Sequence, residues 1–247
     1  IFSARKAIMQ YCQLKGFPNV DIDDIYIGNG VSEMISMSMQ ALLDDGDEVL
    51  VPMPDYPLWT ACVSLAGGNA VHYVCDEKSN WYPDIDDIKS KITSNTKAIV
   101  VINPNNPTGM LIPHRLLKKI LEKSRKLGIL LVVDECFLDF VKEPQEYSLK
   151  RSLSGFDNLF ILKAFTKRYA MAGVRLGYGL CSNRVLLDKM ERNVQPWNVS
   201  TMAQAAGIQA LSETEYVEKG RQLVFRESQW LKEEMTRIGY KVFPSEA

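Results

Sequence analysis

The first chemically suggestive feature of this chain is a lysine placed just after an apolar run. Lys167 sits in the small and apolar setting Ala164-Phe165-Thr166-Lys167, and Arg175 follows eight residues later. A lysine desolvated near a second cation gives up its proton more easily and becomes an amine nucleophile, although a lone lysine is more often solvated surface. Asp134-Glu135 ends the run Ile129-Leu130-Leu131-Val132-Val133. A carboxylate closing a buried strand is costly unless it meets a cation or a donor, so Asp134 requires a partner or else caps the next turn. Asn103-Pro104-Asn105-Asn106-Pro107-Thr108-Gly109 follows another apolar run. Its two X-Pro steps favour an extended loop that sets amide side chains at the end of a strand. Gly28-Asn29-Gly30-Val31-Ser32 precedes an apolar helix, so the amides of Val31 and Ser32 form an anion seat at the helix start, or the segment is a turn capped by Ser32. Tyr56 and Trp59, just after a strand, form either a lid over a planar ligand or ordinary packing.

These residues need a scaffold that brings strand ends together. Short apolar runs predict strands at 48–53, 70–75, 98–103, 129–134, 159–162 and 176–181. Helical periods predict helices at 31–43, 57–65, 85–91, 114–126, 184–192 and 201–211. That alternation is the pattern of an α/β fold: a mostly parallel sheet with helices on both faces, and ligands at the carboxyl ends of its strands. An amphipathic stretch at 213–238, closed by Gly239, leads to a strand-like 241–243. The expected organisation is a large domain over 1–212, then a linking helix and the beginning of a small α/β domain over 213–247. The chain opens at Ile1 rather than Met, as a fragment or a trimmed chain would.

Composition narrows the function. The chain has 247 residues, 46% hydrophobic and 24% charged, with 29 Lys+Arg against 30 Asp+Glu. The formal net charge of −1 supplies no field for non-specific nucleic-acid binding, so a small-molecule role is favoured. No apolar run approaches the ~18 residues of a membrane span, and no signal peptide is visible. Five scattered cysteines without a CxxC pair read as reduced thiols, which points to a cytoplasmic protein. With only two histidines, far apart, a His-based metal site is not expected.

Together, NPNNPTG at 103–109, the strand ending in Asp134-Glu135, and Lys167 with Arg175 in TKRYAMAGVRLGY are similar to one cofactor site. On these motifs the chain resembles the fold-type I, pyridoxal-phosphate-dependent aminotransferases over essentially its whole length. The resemblance implies a cofactor, pyridoxal 5′-phosphate, and substrates that are an amino acid and a 2-oxo acid. It also implies a homodimer with the site at the subunit interface. Lys167 matches the Schiff-base lysine, which also carries the substrate's α-proton. Asp134 matches the carboxylate that keeps the pyridine nitrogen protonated, Asn106 the amide on the phenolic oxygen, and Tyr56 the aromatic stacked on the ring. The phosphate is implied to sit on the amides of Val31 and Ser32, with Arg175 supplying charge.

Two places depart from the family pattern: Ala164 stands where a phosphate-binding hydroxyl is common, and Phe137 where a tyrosine often holds the phenolic oxygen. The subfamily signals are mixed. IFSARKAIMQYCQLKG, DIYIGNGVSEMI and DYPLWTACVSLAGG are similar to bacterial glutamate–pyruvate (alanine) aminotransferases. From DECFLDF onward the chain looks more like histidinol-phosphate aminotransferases and threonine-phosphate decarboxylases. A phospho-amino-acid decarboxylase is therefore one alternative, and a non-catalytic cofactor-binding domain another. In the family the main substrate-carboxylate arginine lies beyond the equivalent of Ala247, which leaves Trp197 and Asn198 as the substrate-side candidates, with a helix-capping role equally open for Asn198.

Overall fold

The computed structural model describes residues 1–246. Its strands are β1 (Ile25–Gly28), β2 (Glu48–Met53), β3 (Asn69–Val74), β4 (Thr96–Ile102), β5 (Leu130–Asp134), β6 (Leu159–Ala164) and β7 (Gly177–Cys181). They form one sheet in the order β1-β7-β6-β5-β4-β2-β3. The β3–β2, β2–β4, β4–β5 and β5–β6 pairs are parallel, while β7 runs antiparallel to both β6 and β1. All five residues of β5 are buried, as expected for a central parallel strand covered on both faces.

The helices are α1 (Phe2–Leu14), α2 (Gly30–Leu42), α3 (Leu58–Leu65), α4 (Ile85–Lys91), α5 (His114–Lys126), α6 (Pro144–Tyr147), α7 (Phe165–Arg168), α8 (Arg184–Asn193), α9 (Thr201–Ala210) and α10 (Thr214–Arg237). In α5 the buried positions Leu117, Ile120, Leu121 and Ser124 follow a spacing of three, one and three, one stripe of the helix laid on the sheet. Its last turn carries Lys123, Arg125 and Lys126 at the negative end of the dipole. On one face of the sheet α1, α5 and α9 pack against Ile99, Val101, Leu131, Val133 and Ile161. On the other, α2, α3 and α8 cover Val100, Val132, Phe160 and Leu162. Alternate residues of each strand thus serve opposite cores, the two-residue period of a strand.

The structure adds α1, β1 and the one-turn helices α6 and α7 to the elements expected, and removes one. Residues 241–246 form no strand. A strand requires a ladder partner, and this segment instead lays Phe243 edge-on to Trp81 at 5.9 Å and joins the Glu246 amide to the Gly109 carbonyl at 3.0 Å. No helix among the described residues is long and apolar enough to cross a membrane, and the five cysteines are free thiols.

Candidate active site

The carboxyl ends of β4, β5 and β6, the start of α2 and the turn after β2 enclose a cavity of about 200 Å³. All seven residues that the resemblance assigns to the cofactor line it: Val31, Ser32, Tyr56, Asn106, Asp134, Lys167 and Arg175. Ala164 and Phe137 line it too, so both departures from the family pattern face the same space.

At the floor, Asp134 is 6% exposed and accepts one hydrogen bond, from the Cys136 amide at 3.0 Å. Burial pushes its carboxyl above the ordinary range, against the pull of Cys136, the Trp59 indole and more distant Lys163. The Trp59 Nε1 is itself buried without meeting hydrogen-bond geometry to any partner. Of the two alternatives the sequence left open for Asp134, the bond from the Cys136 amide is the cap on the following turn; the carboxylate forms no ion pair among the described residues.

At the opposite end the α2 start is shaped for close approach. Gly30 has φ +79°, and a Cβ there would stand 2.7 Å from Arg175 Nη2. A Cβ on Gly177, the first residue of β7, would meet the Val31 nitrogen at 2.8 Å. These two glycines let the guanidinium and the first amides of α2 share one corner. Ser32 does not cap the helix: Asn29 is the N-cap residue, and the Asn29 amide donates to Glu33 Oε2 at 2.6 Å.

Lys167 lies on the four-residue α7, and here the structure corrects the sequence reading. It is exposed rather than desolvated, with its ammonium 5.4 Å from the centre of the Phe137 ring. On the same turn Phe165 and Arg168 point into the protein, which leaves Lys167 on the open side facing the cavity. The phenylalanine where the family often has tyrosine thus touches the lysine itself.

The Asn-Pro loop is also not extended. The Asn105 carbonyl accepts from Gly109 N at 2.7 Å, its Oδ1 accepts from Thr108 Oγ1 at 2.9 Å, and its amide donates to Met110 O at 2.9 Å. Asn103 Oδ1 accepts from Ile112 N at 2.8 Å. The loop folds on these local bonds, which leaves Asn103 and Asn105 structural and presents Asn106 to the cavity.

Asn198 is not in the cavity. Its Nδ2 donates to Glu33 Oε2 at 2.8 Å, Ser200 caps α9 instead, and Trp197 is 96% exposed. The sequence reading had also passed over Thr166, whose place in the cavity was signalled by a hydroxyl directly before the lysine.

A buried carboxylate lacking a cation, an amine, and an arginine beside free helix amides, set around one space, are the fittings for a flat cationic ring that carries an anion. The chain belongs to the aminotransferase class I and II family, whose profile matches residues 2–247, and the family is pyridoxal-phosphate-dependent. It is 52% identical over 178 residues to glutamate-pyruvate aminotransferase of Haemophilus influenzae, covering 72% of this chain and 44% of that protein. It is 30% identical over 237 residues to histidinol-phosphate aminotransferase of Methanococcus aeolicus, covering 95% of this chain and 62% of that one. The solved alanine aminotransferase of Pyrococcus furiosus superposes with a TM-score of 0.88 at 30% identity, over 100% of this chain and 65% of that one. The chain thus spans less than half the length of its glutamate-pyruvate relative.

Proposed function

We propose that this chain carries the cofactor site of a pyridoxal-phosphate-dependent aminotransferase that moves an amino group between an amino acid and a 2-oxo acid. The observation that carries the reading is Asp134, a buried carboxylate without a cation, facing the same cavity as Lys167 and Arg175. When bound, the cofactor supplies an aldehyde for the substrate amine and a ring that accepts electrons from the substrate's α-carbon. Asp134 would hold the ring nitrogen and favour its protonated form, a cation that would in turn favour the ionised carboxylate. Arg175 and the amides of Val31 and Ser32 bind the phosphate, with Thr166 offering the hydroxyl that Ala164 lacks. Asn106 donates to the ring's phenolic oxygen, and Tyr56, 40% exposed at the mouth, stacks on the ring and sheds water. Lys167 would be the amine that holds the cofactor's aldehyde as a Schiff base, and its Nζ would be the group that takes and returns the substrate's α-proton.

In this reading residues 1–212 are the cofactor-binding domain and 213–247 lead into a second unit. The working form is a homodimer in the cytoplasm, a placement that the free cysteines support. The names of the relatives make glutamate the first donor with pyruvate as acceptor, and alanine the donor in the reverse direction. The test is a panel of amino acids given to cofactor-loaded protein with a 2-oxo acid, scored for both the new amino acid and carbon dioxide. Amino transfer is expected. Carbon dioxide without transfer would favour the decarboxylase alternative, and neither product would favour a non-catalytic binding domain.

A further inference from the structure

Across the sheet from the cofactor cavity lies a smaller one, of about 80 Å³. The two-residue period of the strands separates them: Asp134 and Ala164 face the first cavity, while Glu135 and Lys163 line the second. Lys15, Lys150, Lys163, Arg168 and Arg221 line this smaller space against two carboxylates, Glu135 and Asp139.

Both carboxylates are already taken. Glu135 accepts from Ser148 Oγ at 2.9 and 3.0 Å and from the Leu149 amide at 3.3 Å, with Lys163 Nζ at 3.9 Å. Asp139 pairs with Lys163 at 2.9 Å and with Arg168. What is left over is positive. Lys150, 9% exposed, has no hydrogen bond or ion pair from its ammonium among the described residues and only the Phe17 ring beneath it at 5.1 Å. The Nε atoms of Arg168 and Arg221 are buried and unpartnered. An ammonium with three unused donors on a largely buried side chain, beside two buried guanidinium N–H groups without acceptors, is costly unless an acceptor with negative charge completes it. Burial and Lys163 both push the Lys150 amine down, the strain that an adjacent anion would relieve.

We propose that this cavity is a second anion site, which takes a compact oxyanion of about the size of phosphate. Its volume, well below the 200 Å³ of the cofactor cavity, suits a compact oxyanion better than a nucleotide. The proposal stands on residues on the other face of the sheet and does not depend on the cofactor reading.

The test uses protein loaded with pyridoxal phosphate, so that the seat beside Arg175 is filled, and titrates inorganic phosphate at constant ionic strength with chloride as the control. Calorimetry should show one saturable site, and phosphate should raise the melting temperature by a few degrees, roughly the scale of a ligand at several times its Kd. Lys150→Met should bind phosphate at least about tenfold more weakly, because the charge-assisted contact is gone. Lys150→Arg, which keeps the charge, should recover part of the binding. A flat wild-type titration up to about 20 mM, weaker than any affinity worth assigning to a site, overturns the proposal. So does an equal response to chloride, or phosphate binding that Lys150→Met leaves intact. A protein that fails to load the cofactor but still binds phosphate in a Lys150-dependent way would sink the cofactor reading and keep this one.

Discussion

On one face of β5 the carboxylate of Asp134 meets a single backbone amide, while on the other face Glu135, its neighbour in sequence, is held by a hydroxyl, an amide and Lys163. Both are buried, at 6% and 0% exposure, so the difference is not solvent but company. The Glu135 side is a self-consistent ionic cluster in which Lys163 also donates to the Glu135 carbonyl at 3.1 Å and so ties the turn after β5 to β6. That turn carries Phe137, and Arg168, next to Lys167, anchors to Asp139 in the same cluster. One side of the sheet holds the backbone in place; the other leaves a buried carboxylate facing a cavity.

The largest effect expected from breaking this division is on stability. Lys163→Met leaves Glu135 without a cation and Asp139 with Arg168 alone, and should cost about 3–5 kcal/mol in urea unfolding, the usual loss when one partner of a buried pair is removed. A loss under about 1 kcal/mol would mean that the cluster behaves as an exposed one.

Asp134→Asn should do the reverse: turnover falls by roughly 100-fold or more, as when a positioned electrostatic group is removed, while the cofactor-free protein is as stable or more so. The pH dependence carries the sign. Because burial raises the Asp134 carboxyl above its ordinary 3.8, the folded protein keeps a proton that the unfolded chain has released. Wild type therefore loses stability relative to the variant as pH climbs from 3.8 through the raised value, with the gap constant above it. Asp139, held below its ordinary range by Lys163 and Arg168, contributes in the opposite direction, giving stability above 3.8 that disappears as acid protonates it. Acid titrations of cofactor-free Asp134→Asn and wild type, compared by chemical denaturation, would show parallel curves if Asp134 were normally solvated.

The smallest change expected is from Phe137→Tyr. A hydroxyl at that position supplies one hydrogen bond to the cofactor, worth about 1 kcal/mol, and should slow cofactor loss several-fold on dialysis. An unchanged retention time would show that the ring matters only through its contact with Lys167.

How much of this was legible before the fold was known follows from strand period and strand ends. The larger cavity was readable because Tyr56, Asn106, Asp134 and Lys167 lie just after apolar runs, where a parallel sheet places ligands, while Val31, Ser32 and Arg175 were joined to them by the family resemblance; all seven line one space. The opposite cluster was not, since Lys163 and Glu135 sit inside or beside those same runs, and only the register between β5 and β6 shows that they meet. β1 escaped because four residues ending in a glycine turn carry little pattern, and α1 because no residue caps its start. Segment 241–243 has strand-like composition but no ladder to join, and Asn198 reads as a free amide until the fold brings Glu33 to it from 165 residues away.

The most direct test of the central claim is chemical. Protein incubated with pyridoxal phosphate, reduced with borohydride, digested and mapped should carry the pyridoxyl group on Lys167 and on no other lysine, and Lys167→Ala should carry none while unfolding like wild type. A reduced label spread over surface lysines, or one that survives Lys167→Ala at the same level, would contradict the assignment of this cavity as the cofactor site.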